Sequence, residues 1–122
     1  MSQPCPCGGP SYATCCEPLH DGTAHAWTSE QLMRARYSAY AVDRPHYVFR
    51  TWHPRTRPQA VESTPLVWTG LVIRDVLAGG PDDDTGVVEF EASYTDGGTP
   101  GVLRERSRFE RRKSRWVYVD AE

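Results

Sequence analysis

The sequence lacks any apolar run that is long enough to cross a membrane as a helix, and it has almost no excess charge of either sign. The chain has 122 residues and a formal net charge of −2 at pH 7, so bulk attraction to nucleic acid or to an anionic membrane is not expected. A membrane-spanning helix needs about 18 consecutive apolar residues, and no such run is present. The stretch from Met1 to Cys5 has no charged segment followed by an apolar one. We therefore expect no secretory signal peptide and predict a soluble, cytoplasmic protein.

Short nucleotide-binding motifs are also missing from the sequence. The glycine pairs Gly79-Gly80 and Gly97-Gly98 precede strand-like segments rather than helices, so neither has the context of a phosphate-binding loop. Three aspartates at 82–84 follow a glycine-rich turn, but the spacing and closing glutamate of a calcium-binding EF-hand are absent. A chain of this length forms one domain with room for a small appendage.

Cysteine is absent after residue 16, since Cys5, Cys7, Cys15 and Cys16 all lie at the start of the chain. In a reducing compartment such a cluster predicts a metal site rather than a disulfide framework. Disulfides within either pair would close small, strained rings, so crossed bridges between the pairs are the remaining alternative. Four thiolates suit a tetrahedral zinc ion, and iron accepts the same ligands. We predict a structural knuckle over residues 1–20 that holds zinc, with iron as the alternative ion.

The chain after the knuckle begins with helical patterns. Residues 21–27 show no periodicity and are predicted to be a linker. Thr28 and Gln31 have the spacing of a capping box, and an apolar stripe at helical spacing follows over residues 32–41. The run Asp43-Arg44-Pro45 predicts the start of a second helix, with proline in its first turn.

The pattern becomes strand-like from Leu66 onward. Leu66–Leu77 is rich in β-branched and aromatic residues, and Gly70 predicts a bulge. Val87–Tyr94 alternates between apolar and polar residues, and two further strand patterns flank a turn at 111–113. Helices followed by antiparallel strands predict an α+β domain over residues 28–122, with one curved sheet wrapped on a helical layer.

Two parts of the sequence resemble known families. The cysteine pairs, Cys5-Pro6-Cys7-Gly8 and Cys15-Cys16, resemble the SEC-C metal-binding motif at the C-terminus of the SecA translocation ATPase, with one residue fewer between the pairs. Six later blocks are together similar to the YchJ-type bacterial family, whose activity is not established. They are Leu32–Tyr40, Thr51–Pro58, Trp68–Leu71, Val88–Tyr94, Glu105–Phe109 and Arg115–Asp120.

These resemblances imply a fold and a partner. The YchJ-type resemblance implies the nuclear-transport-factor-2-like (NTF2-like) fold, which is a cone of helices over a strongly bent sheet with a pocket inside. The SEC-C resemblance implies that the knuckle docks a protein or ribosomal partner. One position departs from the family pattern, since Arg104 stands where the family often carries histidine.

Eight side chains are candidates for the lining of such a pocket. They are Arg36, Tyr40, Trp52, His53, Trp68, Glu89, Glu105 and Trp116. A histidine beside one of the two glutamates would form an acid–base pair with perturbed pKa values. The plainer interpretation pairs Arg36 with Glu89 or Glu105 as a buried ion pair and assigns the tryptophans to the core.

Basic residues are concentrated near the end of the chain. The candidate basic patch consists of Arg104, Arg106, Arg108, Arg111 and Arg112, of which the first three alternate and so share one strand face. A surface that contacts nucleic-acid phosphates is one interpretation. Aromatic residues for base stacking are scarce there, so a solvated outer face that protects a sheet edge is favoured.

Two classes of function follow from these features. The first is a metal-stabilised adaptor or binding protein, whose knuckle docks a partner and whose cone holds a small ligand. The second is a small enzyme, of hydrolase or isomerase type, that uses the pocket around His53 and Glu105. We favour the first class, and we expect that a chelator unfolds the knuckle without affecting the melting of the cone.

Overall fold

The computed structural model describes residues 3–61 and 65–122. The helical elements come first: a 3₁₀ helix at Tyr12–Thr14, α1 at Glu17–His20, α2 at Ser29–Ala41 and α3 at Pro45–Arg50. The strands follow: β1 at Val67–Ala78, β2 at Thr85–Asp96, β3 at Thr99–Arg112 and β4 at Arg115–Ala121. The predicted α+β order is confirmed.

The strands form one antiparallel sheet in the order β1-β2-β3-β4. The register between β1 and β2 shifts between Trp68 and Gly70, which confirms the bulge predicted at the glycine. Further shifts occur between Ile73 and Asp75 and in the pairing of β3 with β4. Each bulge bends its strand and increases the local twist, so the sheet is bent at these positions.

Helix α2 begins at the predicted cap. The Thr28 hydroxyl accepts a hydrogen bond from the backbone N–H of Gln31 at 3.0 Å. The Gln31 side chain accepts from the backbone N–H of Trp27 at 2.7 Å, one residue before the position that a reciprocal capping box uses. The backbone N–H of Ser29 donates to the Gly79 carbonyl, which ties the start of the helix to the turn between β1 and β2.

Helix α2 is buried on more than one face. Eight of its 13 residues are buried, which is more than one apolar stripe accounts for. The stripe that contains Met33 and Tyr37 faces the sheet, whereas Ser38, on another face, is fully buried beneath the cysteines. The helix therefore lies between the knuckle and the sheet.

A single core joins the knuckle to the rest of the protein. Cys5, Cys7 and Cys16 belong to the same buried cluster as Leu32 and Val48. Helix α1 adds a buried leucine and His20, whose Nε2 lies 2.8 Å from the Ala35 carbonyl oxygen of α2. This packing is closer than expected for a knuckle on a linker, because α2 supplies one wall of the cysteine cluster.

Candidate functional site

The four cysteine sulfurs form a compact cluster. All four lie within 4.8 Å of one another, and none is in a disulfide. Cys7 Sγ is 3.6 Å from Cys15 Sγ and 3.7 Å from Cys16 Sγ, and the last two sulfurs are 3.9 Å apart. A tetrahedron with Zn–S bonds of about 2.3 Å has edges of about 3.8 Å. The cluster is therefore positioned and sized to hold a tetrahedral metal ion.

Two glycines allow the first cysteine pair to approach the second. Gly8 has φ of +105°, a conformation that residues with a Cβ rarely adopt. At Gly9 an added Cβ would lie 2.8 Å from the sulfur of Cys15, so any side chain there would collide with a ligand atom. The turn is closed by hydrogen bonds between the backbone of Cys5 and that of both glycines, each of 3.0 Å.

Helix α2 supplies polar contacts to the cysteine cluster. The Ser38 hydroxyl donates to Cys16 Sγ at 3.2 Å and lies 3.5 Å from Cys5 Sγ. The Arg34 guanidinium donates to the Cys7 carbonyl at 2.8 Å. Four thiolates around a divalent ion leave a net charge of −2. Nearby donors and cations offset that charge and orient the ligands.

The thiols of the cluster have widely separated acidities. A hydrogen bond from Cys16 lowers the pKa of the Cys7 thiol to about 4. Burial raises the pKa of the Cys15 thiol to about 12, and donation to Cys7 raises the pKa of the Cys16 thiol. The protein alone therefore favours a thiolate at Cys7 and protonated thiols at Cys15 and Cys16. A cation is needed to stabilise the fully deprotonated set, and its binding releases protons.

Replacing Ser38 by alanine is expected to weaken metal binding about 10-fold, the lower end of the range for loss of a group that supports metal ligands. The effect is measured by competition with a chromogenic chelator. Ser29→Ala is the matched control, because Ser29 is equally buried on the same helix but its hydroxyl has no hydrogen-bond partner among the described residues. Equal metal affinities in the two variants would show that the Ser38 contact does not support the cysteine ligands.

A cavity of about 200 Å³ lies between α2 and the inner face of the sheet. Five of the eight predicted pocket residues line it: Arg36, Tyr40, Trp52, Trp68 and Glu105. Sequence reasoning missed the other lining residues, which are Met33, Tyr37, Phe90, Ala92, Leu103, Ser107 and Tyr118. Ser107 could have been found, since it lies two residues after Glu105 and so shares its strand face.

The prediction that Glu89 lines the pocket is wrong. Val88 and Phe90 point into the core, so the alternation of β2 places Glu89 on the outer face of the sheet. Its carboxylate there pairs with Arg104 and Arg106, each at 3.2 Å.

The predicted acid–base pair of His53 with a pocket glutamate is also absent. His53 does not line the cavity, and its Nε2 lies 3.9 Å from a carboxylate oxygen of Glu110. The backbone N–H of His53 donates to the Tyr118 carbonyl, which holds it beside β4. Trp116 is likewise outside the cavity, in the core, where its indole N–H donates to the Trp27 carbonyl at 3.1 Å.

Arg36 does not form the predicted ion pair. Its guanidinium Nη1 donates to the Val48 carbonyl and to the Thr51 hydroxyl, both at 2.8 Å. The guanidinium carbon lies 4.6 Å from the ring centre of Tyr118 and 5.1 Å from that of Trp52. Burial lowers the pKa of Arg36 to about 10, so the group is still protonated at neutral pH. Among the described residues, no carboxylate lies within ion-pairing distance of this cation.

Hydrogen bonding in the cavity is unevenly satisfied. The Glu105 carboxylate accepts from the Ser107 hydroxyl at 2.5 Å and from the Tyr118 hydroxyl at 3.1 Å. The indole N–H groups of Trp52 and Trp68 are buried and have no acceptor in the part of the chain that the structure describes. The Glu105 carboxylate is thus held through one oxygen, Oε2, and both indole N–H groups are buried in the cavity wall rather than exposed to the cavity.

The arginines of the candidate basic patch are largely neutralised. Three of them pair with acidic residues on the outer face of the sheet: Arg104 with Glu89, Arg106 with Asp75 and Glu89, and Arg108 with Asp120. Arg111 instead donates to the backbone carbonyls of residues 80, 81 and 83 and stacks on Trp116 at 4.6 Å. Arg112 is exposed. Arg104, Arg106 and Arg108 thus form a solvated, ion-paired sheet face, whereas Arg111 and Arg112 have no carboxylate partner among the described residues.

Fold and site together define an NTF2-like α+β domain with an N-terminal four-cysteine cluster of the SEC-C type. Residues 28–121 match the family model described as "YchJ, middle NTF2-like domain". The chain belongs to this YchJ family, also designated UPF0225, whose function is not established.

Relatives match the chain over almost its whole length. A UPF0225 protein of Streptomyces coelicolor is 50% identical over 121 residues, which cover 98% of this chain and 94% of the relative. A UPF0225 protein of Deinococcus radiodurans is 49% identical over 122 residues, with coverages of 98% and 88%.

Two solved structures are similar to this one, and both are described as SEC-C motif containing proteins. The protein from Rhodopseudomonas palustris has a TM-score of 0.83 and 30% identity, with 98% of each chain covered. The protein from Psychrobacter arcticus has a TM-score of 0.76 and 25% identity, with coverages of 97% and 81%. In the described part of this chain, no helix has the length and apolar character to span a membrane.

Proposed function

We propose that this protein is a binding protein in which a structural zinc ion fixes the knuckle to α2 and the cavity holds a small ligand. The observation that supports ligand binding is the Arg36 guanidinium, a buried cation on the cavity wall with no carboxylate partner among the described residues. A buried charge without a partner is costly. A ligand with acceptor atoms would offset that cost.

Zinc is the proposed ion because four thiolates in a closed tetrahedron are typical of structural zinc sites. Such a site has no open position for water or substrate, so the role proposed for the ion is structural. Iron also accepts four thiolates, and elemental analysis of protein made without added metal distinguishes the two.

Docking of a protein or ribosomal partner by the knuckle is a further part of this proposal, based on the SEC-C resemblance. Three of the cysteines are buried against the core, so a partner would contact the outward residues of the knuckle, such as Gly8 and Thr14. We do not propose an enzyme around His53 and Glu105, because His53 lies outside the cavity that Glu105 lines.

Filling the cavity is expected to abolish ligand binding. Ala92 lines the cavity and is buried. Ala92→Leu therefore fills part of the cavity and lowers the free energy of unfolding by at most about 1–3 kcal/mol. Val87→Leu, on the opposite face of the same strand, is the matched control. Single-ring compounds of varied charge are screened by ligand-observed NMR against the wild type and both variants.

The proposal predicts that bound compounds lose their signal with Ala92→Leu and keep it with Val87→Leu. Compounds that bind all three proteins equally would occupy another surface. That result, or no binding at all, would contradict the proposed function.

A further inference from the structure

We infer that the ligand is an aromatic monocarboxylate with a single ring, an inference that rests on the proposed function. Its carboxylate would accept hydrogen bonds from the Arg36 guanidinium, which lines the cavity. Its ring would occupy the apolar part of the cavity, beside Phe90 and Ala92.

The charge of the ligand follows from the cation in the cavity. Arg36 is 5% exposed and uses Nη1 for its two hydrogen bonds to the protein. A guanidinium carries five N–H donors, and no acceptor for the others is present among the described residues. Carboxylates match the planar donor geometry of arginine and form charge-assisted hydrogen bonds with it. A ligand carboxylate would supply the anion that the protein does not place beside Arg36.

The glutamate in the cavity does not contradict an anionic ligand. The Glu105 carboxylate already accepts from the hydroxyls of Ser107 and Tyr118. Both hydrogen bonds reach one oxygen, Oε2, and hold the carboxylate in place on the cavity wall. The N–H donors that Arg36 does not use in hydrogen bonds to described residues require acceptors from the ligand.

The volume of the cavity suits a ligand with one ring, and the exposed side chains of Tyr40 and Leu103 mark the edge at which it opens to solvent. Buried apolar cavities of about 150 Å³ bind benzene, and this cavity measures about 200 Å³. The additional volume accommodates a substituent of a few heavy atoms. The walls include the rings of Tyr37, Tyr40 and Trp68, which favour an aromatic ring through edge-to-face contacts.

Calorimetric titration with benzoate and with benzamide tests the inference, because the two probes share size and shape but differ in charge. We expect benzoate to bind the wild type at least about 10-fold more tightly than benzamide, and to lose binding with Ala92→Leu. Equal or tighter binding of benzamide that is lost with Ala92→Leu would overturn the carboxylate inference and leave the proposed function intact. Failure of both probes to bind, or benzoate binding that Ala92→Leu does not change, would overturn the inference. The broader compound screen then decides whether the proposed function also fails.

One variant tests the charge assignment without removing the buried cation. Glu105→Gln removes a negative charge near the carboxylate and is expected to tighten benzoate binding several-fold without changing benzamide binding. Glu89→Gln is the control, because Glu89 lies on the outer face of the sheet and outside the cavity. Unchanged benzoate affinity in Glu105→Gln would overturn the assignment.

Discussion

Removing the metal is expected to destabilise the whole chain and not the knuckle alone. Cys5, Cys7 and Cys16 share one core with residues of α2 and α3, so loss of the ion leaves buried thiols and a detached wall of that core. Structural zinc contributes about 10–16 kcal/mol to the folding of small zinc peptides, as much as the total stability of many domains. We expect the thermal midpoint to fall by at least about 10 °C. This outcome differs from the independent knuckle that the sequence alone predicts.

The measurement is thermal unfolding by circular dichroism, with and without a chelator, combined with elemental analysis. The double variant Cys15→Ser/Cys16→Ser should contain no metal and should melt like the chelated wild type. Thr14→Ser, in the same loop but exposed, is the control and should retain one ion per chain. Loss of metal with an unchanged midpoint would show that the knuckle folds independently. Retention of metal by the double variant would contradict the four-thiolate site.

Replacing Arg36 by alanine is expected to reduce the free energy of unfolding by about 3 kcal/mol. The substitution removes two hydrogen bonds from a charged donor to Val48 and Thr51, and hydrogen bonds to charged groups contribute about 1.5–3 kcal/mol each. It also removes the stacking on Trp52 and Tyr118, with each cation–π contact worth about 0.5–2 kcal/mol. Release of the desolvation cost of the buried cation offsets part of this loss.

Urea unfolding of Arg36→Ala and Arg36→Lys measures the effect. Lysine keeps the charge but lacks the planar fork of donors. Arg36→Lys should therefore retain less than half of the unfolding free energy that Arg36→Ala loses. Arg74→Ala is the control, because Arg74 pairs with Glu91 on the exposed face of the sheet, where an ion pair contributes about 0–1 kcal/mol. If Arg36→Ala and Arg74→Ala lower the free energy of unfolding equally, the buried guanidinium has no structural role.

Local sequence signals predicted most of the fold. The cap at Thr28 and the proline at Pro45 depend on interactions within one or two helical turns, and both helices start where these residues indicate. The alternation of β2 and the bulge at Gly70 reflect contacts of one strand with its neighbour. Such features need no knowledge of distant packing. The burial of Ser38 had no local signal, because it results from the knuckle covering a second face of α2.

The candidate site also combines features that have a local sequence signal with features that depend on distant packing. The cysteine cluster was predictable because its members lie close together in the chain. The partners of Arg36 were not, since the Val48 carbonyl and the Thr51 hydroxyl reach it only when α3 packs on α2. The outward direction of Glu89 follows from the strict alternation of β2, so its exclusion from the cavity could have been derived from the sequence.

The neutralised basic patch depends on pairing between strands. Arg104 and Arg106 lie next to Glu91 and Glu89 in the register of β3 with β2. Cross-strand pairs of opposite charge stabilise a sheet, but they become visible only once the register is known. The count of arginines along one strand therefore overstated the positive potential of the surface.

The central claim is that the cavity is a ligand site whose anchor is the buried Arg36 guanidinium. It is tested most directly by ¹H–¹⁵N spectra of the tryptophan side chains during a benzoate titration, with signals assigned from Trp→Phe variants. The chain has four tryptophans, of which Trp52 and Trp68 line the cavity and Trp27 and Trp116 do not. We predict that the Trp52 and Trp68 indole signals shift together with one dissociation constant, while the other two stay in place. Shifts confined to Trp27 and Trp116, or no shift at saturating benzoate, would contradict the account.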